Sequence, residues 1–277
     1  MKHLRRSLRT SMQPGPTFKL CTSNFQKAAG HTKGLRENFD TIYDEYVLDG
    51  GFFEEGDYYE RARERYWHTL LYYAALDLPH PVDVLEVGGG QLAILSNKIF
   101  GDRATVGDVS SEYSQSITSA GLPLVVCNLL KDDPPEFKGR FHMVGLFEVI
   151  EHIPQPGYVV LSKVATWLRP GGFILLTTPN LFRLRNLARM VACRDLFDHF
   201  LYPEPGQGLG HQLEYSADHL RWQIERAGLE AVTIAHDQLG QSGHSKFARA
   251  ARRLTAPLRL RDKWKEGLVA VARRPVC

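Results

Sequence analysis

The chain has 277 residues, of which 43% are hydrophobic and 23% are charged, and this composition is typical of a globular protein with one main core. No stretch reaches the roughly 18 to 20 apolar residues that span a bilayer, and no apolar secretion signal follows the basic start, so neither a membrane helix nor export is predicted. Four widely spaced cysteines argue against a zinc site and a disulfide framework, and we expect a reduced, cytoplasmic setting.

The formal charge of +3 conceals two basic ends. Residues 1–36 hold eight basic and no acidic residues, and residues 244–277 hold ten basic and two acidic ones. The residues between them hold 16 basic and 29 acidic ones, a net charge of −13. The basic ends could dock on the acidic body of the same chain, or they could bind nucleic acid or an anionic membrane surface. Alternatively, they only keep the protein soluble. Residues 1–36 lack an apolar period and are predicted to be a flexible extension before one domain, 37–277.

Apolar spacing predicts a helix followed by a series of strands. Residues Tyr58–Leu78 carry apolar and aromatic side chains at helical spacing, and these aromatic side chains are predicted to be core contacts. From Val82 onward, short apolar runs alternate with helical patterns, which predicts an α/β fold with a parallel sheet covered by helices on both faces. The predicted strands are Val82–Val87, Ala104–Val106, Leu124–Cys127, Phe141–Phe147, Phe173–Thr177, Leu229–Ile234 and Leu268–Val271.

Three segments in the second half of the chain have features of their own. The stretch 181–210 is too long for a simple connection and carries apolar residues at helical spacing, so a lid or acceptor-binding insertion is predicted. A helix is predicted over Ser216–Ala227, with Ser216 as its N-cap. Phe247–Leu260, within the basic segment 244–263, is a predicted amphipathic helix that suits an anionic membrane or the acidic body.

A buried strand ends in a glycine-rich turn at Leu85-Glu86-Val87-Gly88-Gly89-Gly90, and Asp108 follows after one helix and one strand. Bare backbone at such a turn lets a nucleoside cofactor approach, and a carboxylate after the next strand can bind ribose hydroxyls. Gly88-x-Gly90-x-x-Ala93 also fits a dinucleotide-binding turn. Glu86, however, would repel a pyrophosphate and attract an ammonium group. S-adenosylmethionine (SAM) carries an ammonium and no phosphate, and it is the favoured cofactor.

Four motifs in order resemble those of class I SAM-dependent methyltransferases. They are Val84-Leu85-Glu86-Val87-Gly88-Gly89-Gly90, Phe147-Glu148-Val149-Ile150-Glu151-His152-Ile153, Leu168-Arg169-Pro170-Gly171-Gly172 and Leu176-Thr177-Thr178-Pro179-Asn180. The Glu-x-x-Glu-His block before Thr-Pro-Asn is similar to that of two groups, the ubiquinone-biosynthesis O-methyltransferases and the small-RNA 3′-terminal 2′-O-methyltransferases. The resemblance implies a Rossmann-like, seven-stranded, mainly parallel sheet whose last strand is antiparallel, with the cofactor across the carboxyl ends of the strands.

The resemblance assigns nine residues to the cofactor site: Glu86, Gly88, Gly89, Gly90, Asp108, Val109, Asn128, Leu129 and Phe147. Glu86 and the glycines would line the methionine and ribose end, and Asp108 would take the ribose hydroxyls. Asn128 would meet the adenine amino side, and Phe147 would border the cofactor from the fourth strand. Leu92 stands where a small residue is usual, and Asn128 where many members have Asp, so a narrower or weaker pocket is expected.

Two mechanisms are open on the acceptor side, with Glu151, His152 and His211 as the candidate catalytic residues. A hydroxyl acceptor needs a base, and His152 is favoured because histidine titrates near neutral pH. Alternatively, the i, i+3 and i+4 spacing of Glu148, Glu151 and His152 places them on one helical turn, where they and His211 can hold a metal. The small-RNA enzymes imply Mg²⁺, whereas two imidazoles suit manganese, iron or zinc better. In a third interpretation, Glu148 and Glu151 only orient the local backbone.

Three functions fit these features. The leading one is O-methylation of a hydroxyl on a small molecule or glycan, because the motif set is most widespread among such enzymes. The second is a metal-dependent RNA 2′-O-methyltransferase, whose basic ends would bind phosphates although the acidic body would resist RNA. The third is a non-catalytic cofactor-binding or interaction module, against which Glu86, Asp108 and His152 count. The sequence does not identify the methyl acceptor.

Overall fold

The structure, a computed structural model, describes residues 32–52, 57–76, 78–197, 210–239 and 261–276. The helices are α1 (Thr32–Tyr43), α2 (Tyr58–Ala74), α3 (Gln91–Phe100), α4 (Ser114–Ser119), α5 (Gly157–Trp167), α6 (Leu184–Val191) and α7 (Ala217–Arg226). The strands are β1 (Asp83–Val87), β2 (Arg103–Asp108), β3 (Leu124–Val126), β4 (Phe141–Phe147), β5 (Leu168–Pro179), β6 (Glu230–Asp237) and β7 (Gly267–Arg273). A π-helical turn at Asp44–Leu48 extends α1.

The seven strands form one sheet in the order β3-β2-β1-β4-β5-β7-β6. Strands β1 to β5 pair in parallel with one another, whereas β7 pairs antiparallel with both β5 and β6. The expected Rossmann-like, mainly parallel sheet with an antiparallel last strand is confirmed. Because parallel strands end at the same edge, the carboxyl ends of β1, β2, β4 and β5 lie together.

Helices cover both faces of the sheet, as predicted. The first hydrophobic cluster joins one face to α1, α2 and α3, and the second joins the other face to α5 and α7. Val84 lies in the first cluster and Leu85 in the second, since successive side chains of a strand point to opposite faces. Burial on both faces explains why the strands are continuous apolar runs in the sequence.

The predicted strand positions are confirmed, with differences at their ends. β4 has the predicted bounds, while β5 begins at Leu168 instead of Phe173. Leu168 pairs with Phe141, and the register shifts before the next pair, so the Pro-Gly-Gly motif lies in an irregular extension of the strand. Helix α2 ends at Ala74, earlier than the predicted Leu78.

Regular structure begins before the expected boundary at residue 36. Helix α1 starts at Thr32, and the Arg36 guanidinium contacts Asp40 at 2.8 Å and Glu64 of α2 at 2.7 Å. The same guanidinium lies 5.0 Å from the Trp67 ring centroid. The end of the proposed extension therefore packs on the domain, while residues 1–31 lie outside the described residues.

The later segments are described in part. Helix α6 lies where the insertion 181–210 shows helical spacing, and the Ser216 side chain accepts a hydrogen bond from the His219 N–H at 3.2 Å, as an N-cap does. Residues 198–209 and the predicted helix Phe247–Leu260 lie outside the described residues. Among the helices that the structure describes, none has the length and hydropathy required to span a bilayer.

Removing one hydroxyl between α2 and the sheet should destabilise the fold. The Asp102 carboxylate is fully buried and accepts from the Tyr73 hydroxyl at 2.5 Å and from the Val82 N–H at 2.9 Å. A hydrogen bond to a charged group contributes about 1.5–3 kcal/mol, so Tyr73→Phe should lower the free energy of unfolding in urea by that amount. Tyr158→Phe, at the surface against the exposed Trp222, is the control. Equal losses in both variants would contradict this prediction.

Candidate active site

A cavity of about 260 Å³ opens at the edge where β1, β4 and β5 end. It lies between the glycine-rich turn after β1, the segment after β4 and one side of α2. The lining residues are Tyr58, Tyr59, Arg65, Tyr66, Thr69, Glu86, Gly88, Gly89, Gln91, Tyr113, Phe147, Glu148, Val149, His152 and Thr177. The cavity thus lies at the edge of the sheet where the sequence predicts the cofactor site.

The turn after β1 has a backbone that side chains would block. Gly88 has a φ of +86° and Gly90 one of +99°, in the left-handed region that favours glycine. A Cβ on Gly90 would lie 2.6 Å from Ile117 and 2.9 Å from Val106. A Cβ on Gly88 would lie 3.0 Å from Val149, within the cavity lining. The glycines thus let the chain turn tightly and leave space at the end of β1.

Glu86 is the last acidic side chain before this turn, and its exposed fraction is 2%. Its Oε2 accepts a hydrogen bond from the Ala93 N–H at 2.5 Å, at the start of α3. Burial raises the pKa of Glu86 to about 8, although nearby backbone N–H groups act in the opposite direction. A cationic group of a ligand would stabilise the ionised form of this buried carboxyl by forming an ion pair with it.

The structure brings part of the predicted cofactor set to the cavity. Glu86, Gly88, Gly89 and Phe147 line it. Asp108 is next to it, because its Oδ2 accepts from the Gly89 N–H at 3.2 Å. The other predicted residues, Gly90, Val109, Asn128 and Leu129, are not among the lining residues.

Three of those residues lie directly after β2 or in the loop after β3. Val109 is 67% exposed, and Leu129 is buried in the second hydrophobic cluster. The Asn128 Oδ1 accepts from the Leu130 N–H at 2.8 Å and so turns back on its own loop. The expectation that Asn128 and Leu129 contact a nucleoside stays a prediction.

The contribution of α2 was missed by the sequence analysis, which assigned its aromatic side chains to the core. Tyr59 and Tyr66 are indeed buried, but both also line the cavity. Tyr66 donates to the Gln91 Oε1, and the Gln91 amide donates to the Tyr59 hydroxyl, each at 3.2 Å. Gln91 is the first residue of α3 and directly follows the glycine-rich turn, so it links α2 to this turn. Only the polar Arg65 and Thr69 on the same helical face could have indicated this role.

Arg65 is the one permanent cation among the cavity-lining residues that the structure describes. It donates to the Tyr58 hydroxyl at 2.6 Å, and its guanidinium lies 5.5 Å from the Tyr58 ring centroid and 5.3 Å from that of Tyr66. Aromatic faces stabilise a guanidinium and fix its plane. The remaining N–H groups of the fork are suited to an anionic group inside the cavity.

Glu148 does not lie on one helical turn with Glu151 and His152, so that prediction was wrong. It has a φ of +55°, unusual for a residue other than glycine, and its N–H donates to the Thr177 carbonyl at 3.1 Å. The 3₁₀ turn begins only at Ile150. With this backbone conformation the Glu148 side chain lines the cavity. The Glu148 Oε1 has no hydrogen-bond partner among the described residues.

Three of the four predicted metal ligands do come together. One potential ligand atom from each of Glu151, His152 and His211 lies within 4.8 Å of the others, and Glu148 is not in this group. The two imidazole rings meet edge to face with their centroids 4.9 Å apart. His211 arrives from the segment before α7, which the backbone N–H of Gln212 ties to the Glu151 carbonyl at 2.7 Å.

Glu151 is the buried member of this group, with an exposed fraction of 0%. Its Oε2 accepts from the Thr178 hydroxyl at 3.0 Å, while its Oε1 has no hydrogen-bond partner among the described residues. Burial, together with the nearby Glu148 carboxylate, raises the pKa of Glu151 well above its usual range. The side chain thus has an oxygen without a partner and a preference for a proton or another positive charge.

Comparison with known proteins identifies the family. Residues 59–234 match the sequence profile of a methyltransferase domain. The chain belongs to the methyltransferase domain family. The match spans the glycine-rich turn, the Glu-x-x-Glu-His block and α7, so it includes the Glu151–His152–His211 group and every cavity-lining residue except Tyr58. A search of curated proteins gives no match.

Solved methyltransferase structures share the fold. A SAM-dependent methyltransferase from Archaeoglobus fulgidus is 15% identical, with 76% of this chain and 94% of that chain covered and a TM-score of 0.51. For the geranyl diphosphate C-methyltransferase of Streptomyces coelicolor A3(2), the identity is 14%, the coverages are 86% and 98%, and the TM-score is 0.55. The 4+2 cyclase SpnF is 16% identical, with coverages of 82% and 87% and a TM-score of 0.52.

These likenesses show the fold alone, and the cyclase among them demonstrates that the fold does not determine the reaction. The family match and the fold together confirm the expected class I SAM-dependent methyltransferase. They do not select between the ubiquinone-biosynthesis type and the small-RNA type. A C-methyltransferase also shares the fold, so the acceptor atom is not determined either.

The pKa of Glu86 predicts how the stability of the cofactor-free methyltransferase depends on pH. The folded protein holds this proton up to about pH 8, whereas the ordinary glutamate value is 4.5. The contribution of this carboxyl to the free energy of unfolding is therefore fully present below pH 4.5 and is lost as the pH rises through about 8. Between these two pH values the free energy of unfolding falls by about 1.4 kcal/mol per pH unit. Urea unfolding across this range should show a flatter dependence for Glu86→Gln. The same slope in both proteins would contradict the buried, protonated carboxylate.

Proposed function

We propose that this methyltransferase transfers a methyl group to a hydroxyl oxygen of a small molecule or glycan. In this proposal, Glu151, His152 and His211 orient that hydroxyl and promote the loss of its proton. One observation carries the proposal. His152 belongs both to the lining of the cavity and to the three-residue group, so the group is beside the space where an acceptor would meet the cofactor. Nitrogen acceptors that are already neutral would need no such group, whereas a hydroxyl does.

The cavity fits SAM through charges that match its methionine end. The ammonium would pair with the buried Glu86, and the carboxylate with Arg65. Asp108, held beside the glycine-rich turn by the Gly89 N–H, would take the ribose hydroxyls. When bound, SAM supplies an electrophilic methyl group. The protein must then hold the acceptor oxygen in line with it and keep water away, and this placement alone contributes several kcal/mol.

The Glu151–His152–His211 group also fits a divalent cation. The Glu151 Oε1 is buried without a hydrogen-bond partner among the described residues, as expected for an oxygen reserved for a ligand. One carboxylate and two imidazoles suit Mn²⁺ or a similar transition metal better than Mg²⁺, since Glu148 is not in the group. A cation there would supply Lewis acidity that lowers the pKa of an acceptor hydroxyl.

The same residues serve the reaction without a cation if His152 acts as the base. Its imidazole would accept the hydroxyl proton, and Glu151, whose Oε1 lies 4.0 Å from His152 Nε2, would stabilise the imidazolium. Thr178 holds the Glu151 carboxylate from its other oxygen. The unpartnered Glu151 oxygen favours the cation, and we treat this base as the alternative.

An RNA 3′ end is the second candidate acceptor, because its vicinal diol is the kind of ligand that a cation in this group would hold. The only permanent cation in the described cavity lining is Arg65, and the Glu148 carboxylate is close enough to offset its charge. An electrostatic surface of this kind opposes phosphates. A neutral diol or phenol on a small molecule or glycan is therefore the favoured acceptor.

Decarboxylated SAM provides a direct test of Arg65. If Arg65 binds the cofactor carboxylate, wild-type protein should bind SAM about 10- to 100-fold more tightly than its decarboxylated form, the range expected for a charge-assisted hydrogen bond. Arg65→Gln should remove most of that difference and leave the affinity for decarboxylated SAM unchanged, as measured by calorimetry. If Arg65→Gln binds SAM like wild type, the guanidinium serves the acceptor and this assignment is wrong.

Titration of Mn²⁺ into protein saturated with S-adenosylhomocysteine tests the cation. Wild type should bind one equivalent, and Glu151→Gln, which keeps the acceptor for Thr178 but removes the charge, should show no binding. Glu225→Gln, an exposed charge loss on α7, is the matched control and should bind like wild type. Absence of binding in wild type, also with diol acceptors present, would leave His152 as a metal-free base.

A further inference from the structure

Glu214 is a buried carboxylate, 1% exposed, that receives side-chain donors from two segments of the chain. The Arg183 guanidinium donates to its Oε1 in a short contact, and the Asn186 amide donates to its Oε2 at 2.5 Å. The Nδ1 of His211 lies 3.2 Å from the same Oε1. None of these contacts is needed for the roles assigned above to the Glu151–His152–His211 group.

The chemistry of these partners decides where the His211 proton lies. A guanidinium and an amide –NH₂ can only donate hydrogen bonds, so Glu214 is held as an ionised acceptor with no proton to give. The ring nitrogen that faces it must therefore be the donor, which is Nδ1. In a neutral imidazole the lone pair is then on Nε2.

We propose that Glu214 is a positioning residue that fixes His211 in its Nδ1–H tautomer, so that Nε2 holds the lone pair used in the Glu151–His152–His211 group. What Nε2 then binds rests on the proposed function. The tautomer itself does not, since it follows from the contacts of Glu214 alone. Acid side chains that hold the outer nitrogen of a histidine commonly orient it in this way.

The same contacts join His211 to the start of α6. Arg183 is the residue before this helix, and Asn186 lies in its first turn, where its amide also donates to the Leu181 carbonyl at 3.0 Å. Leu181 in turn donates its backbone N–H to the Tyr215 carbonyl at 2.9 Å. A ligand that displaces α6 would therefore change the orientation of His211 through Glu214. These contacts connect the start of α6 to His211.

The tautomer can be measured directly in the wild-type, metal-free full chain. Histidine labelled with ¹⁵N at both ring nitrogens is observed by NMR at about pH 8, above the ordinary titration range of the side chain. The signals of His211 are those lost in His211→Asn. We expect a bonded hydrogen on Nδ1 and none on Nε2. A hydrogen on Nε2 would overturn the proposal.

Glu214→Gln tests the cause and Glu225→Gln is again the matched control. The glutamine keeps the shape but adds a donor, so His211 should populate both tautomers, and Mn²⁺ should bind about 10- to 100-fold more weakly. A single Nδ1–H tautomer with unchanged affinity in Glu214→Gln would overturn the proposal. Where the variant does not fold, the wild-type spectrum decides. An Nδ1–H signal in a wild type that binds no Mn²⁺ supports the positioning role and contradicts only the cation in the proposed function.

Discussion

Parallel pairing of the central strands places the carboxyl ends of β1, β2, β4 and β5 at one edge of the sheet, and the glycine-rich turn, Glu148 and Thr177 meet at the cavity because of this geometry. The chain leaves β1 through the glycine-rich turn, leaves β4 through the left-handed Glu148 and leaves β5 toward α6. The end of β1 carries the buried Glu86, the exit of β4 carries Glu148 in the cavity, and the exit of β5 carries Arg183, which contacts Glu214 beside His211. The sheet thus brings together groups that are distant in sequence.

The site buries three acidic side chains. Glu86, Glu151 and Glu214 are each at most 2% exposed, and they are compensated in different ways. Glu214 has a complete set of donors, including a guanidinium. Glu86 has backbone donors only, and Glu151 has one hydroxyl and an oxygen without a partner. Burying a charge is costly unless it is paired. The incompletely compensated carboxylates therefore indicate where cationic groups of ligands belong, and the fully compensated one indicates a structural support.

The fold could be predicted from the sequence because alternating apolar runs and helices determine a parallel sheet locally, and the order of motifs supplied the family. Residues at strand ends, such as Glu86, Gly88 and Gly89, could be placed beside the cavity from the sequence, because the carboxyl ends of parallel strands share one edge. Arg65 and Gln91 were missed because their contacts depend on how α2 packs across the glycine-rich turn, and in the sequence only the polar Arg65 and Thr69 on an aromatic helical face point to this packing. Glu148 was misplaced because helical spacing was assumed for a residue whose φ is positive. The partners of Glu214 come from segments that meet only in the folded chain.

Strand β7 lies between β5 and β6, although it follows both in the sequence. During synthesis, β6 therefore has no strand to pair with until Gly267–Arg273 has left the ribosome, and one edge of β5 stays open for the same time. Unpaired strand edges of this kind promote aggregation of nascent chains. Strands β1 to β5, which pair only with one another and with β7, all precede β7 in the chain. We therefore expect correct folding to require that β7 pairs with β5 before another chain pairs with the open edge of β5.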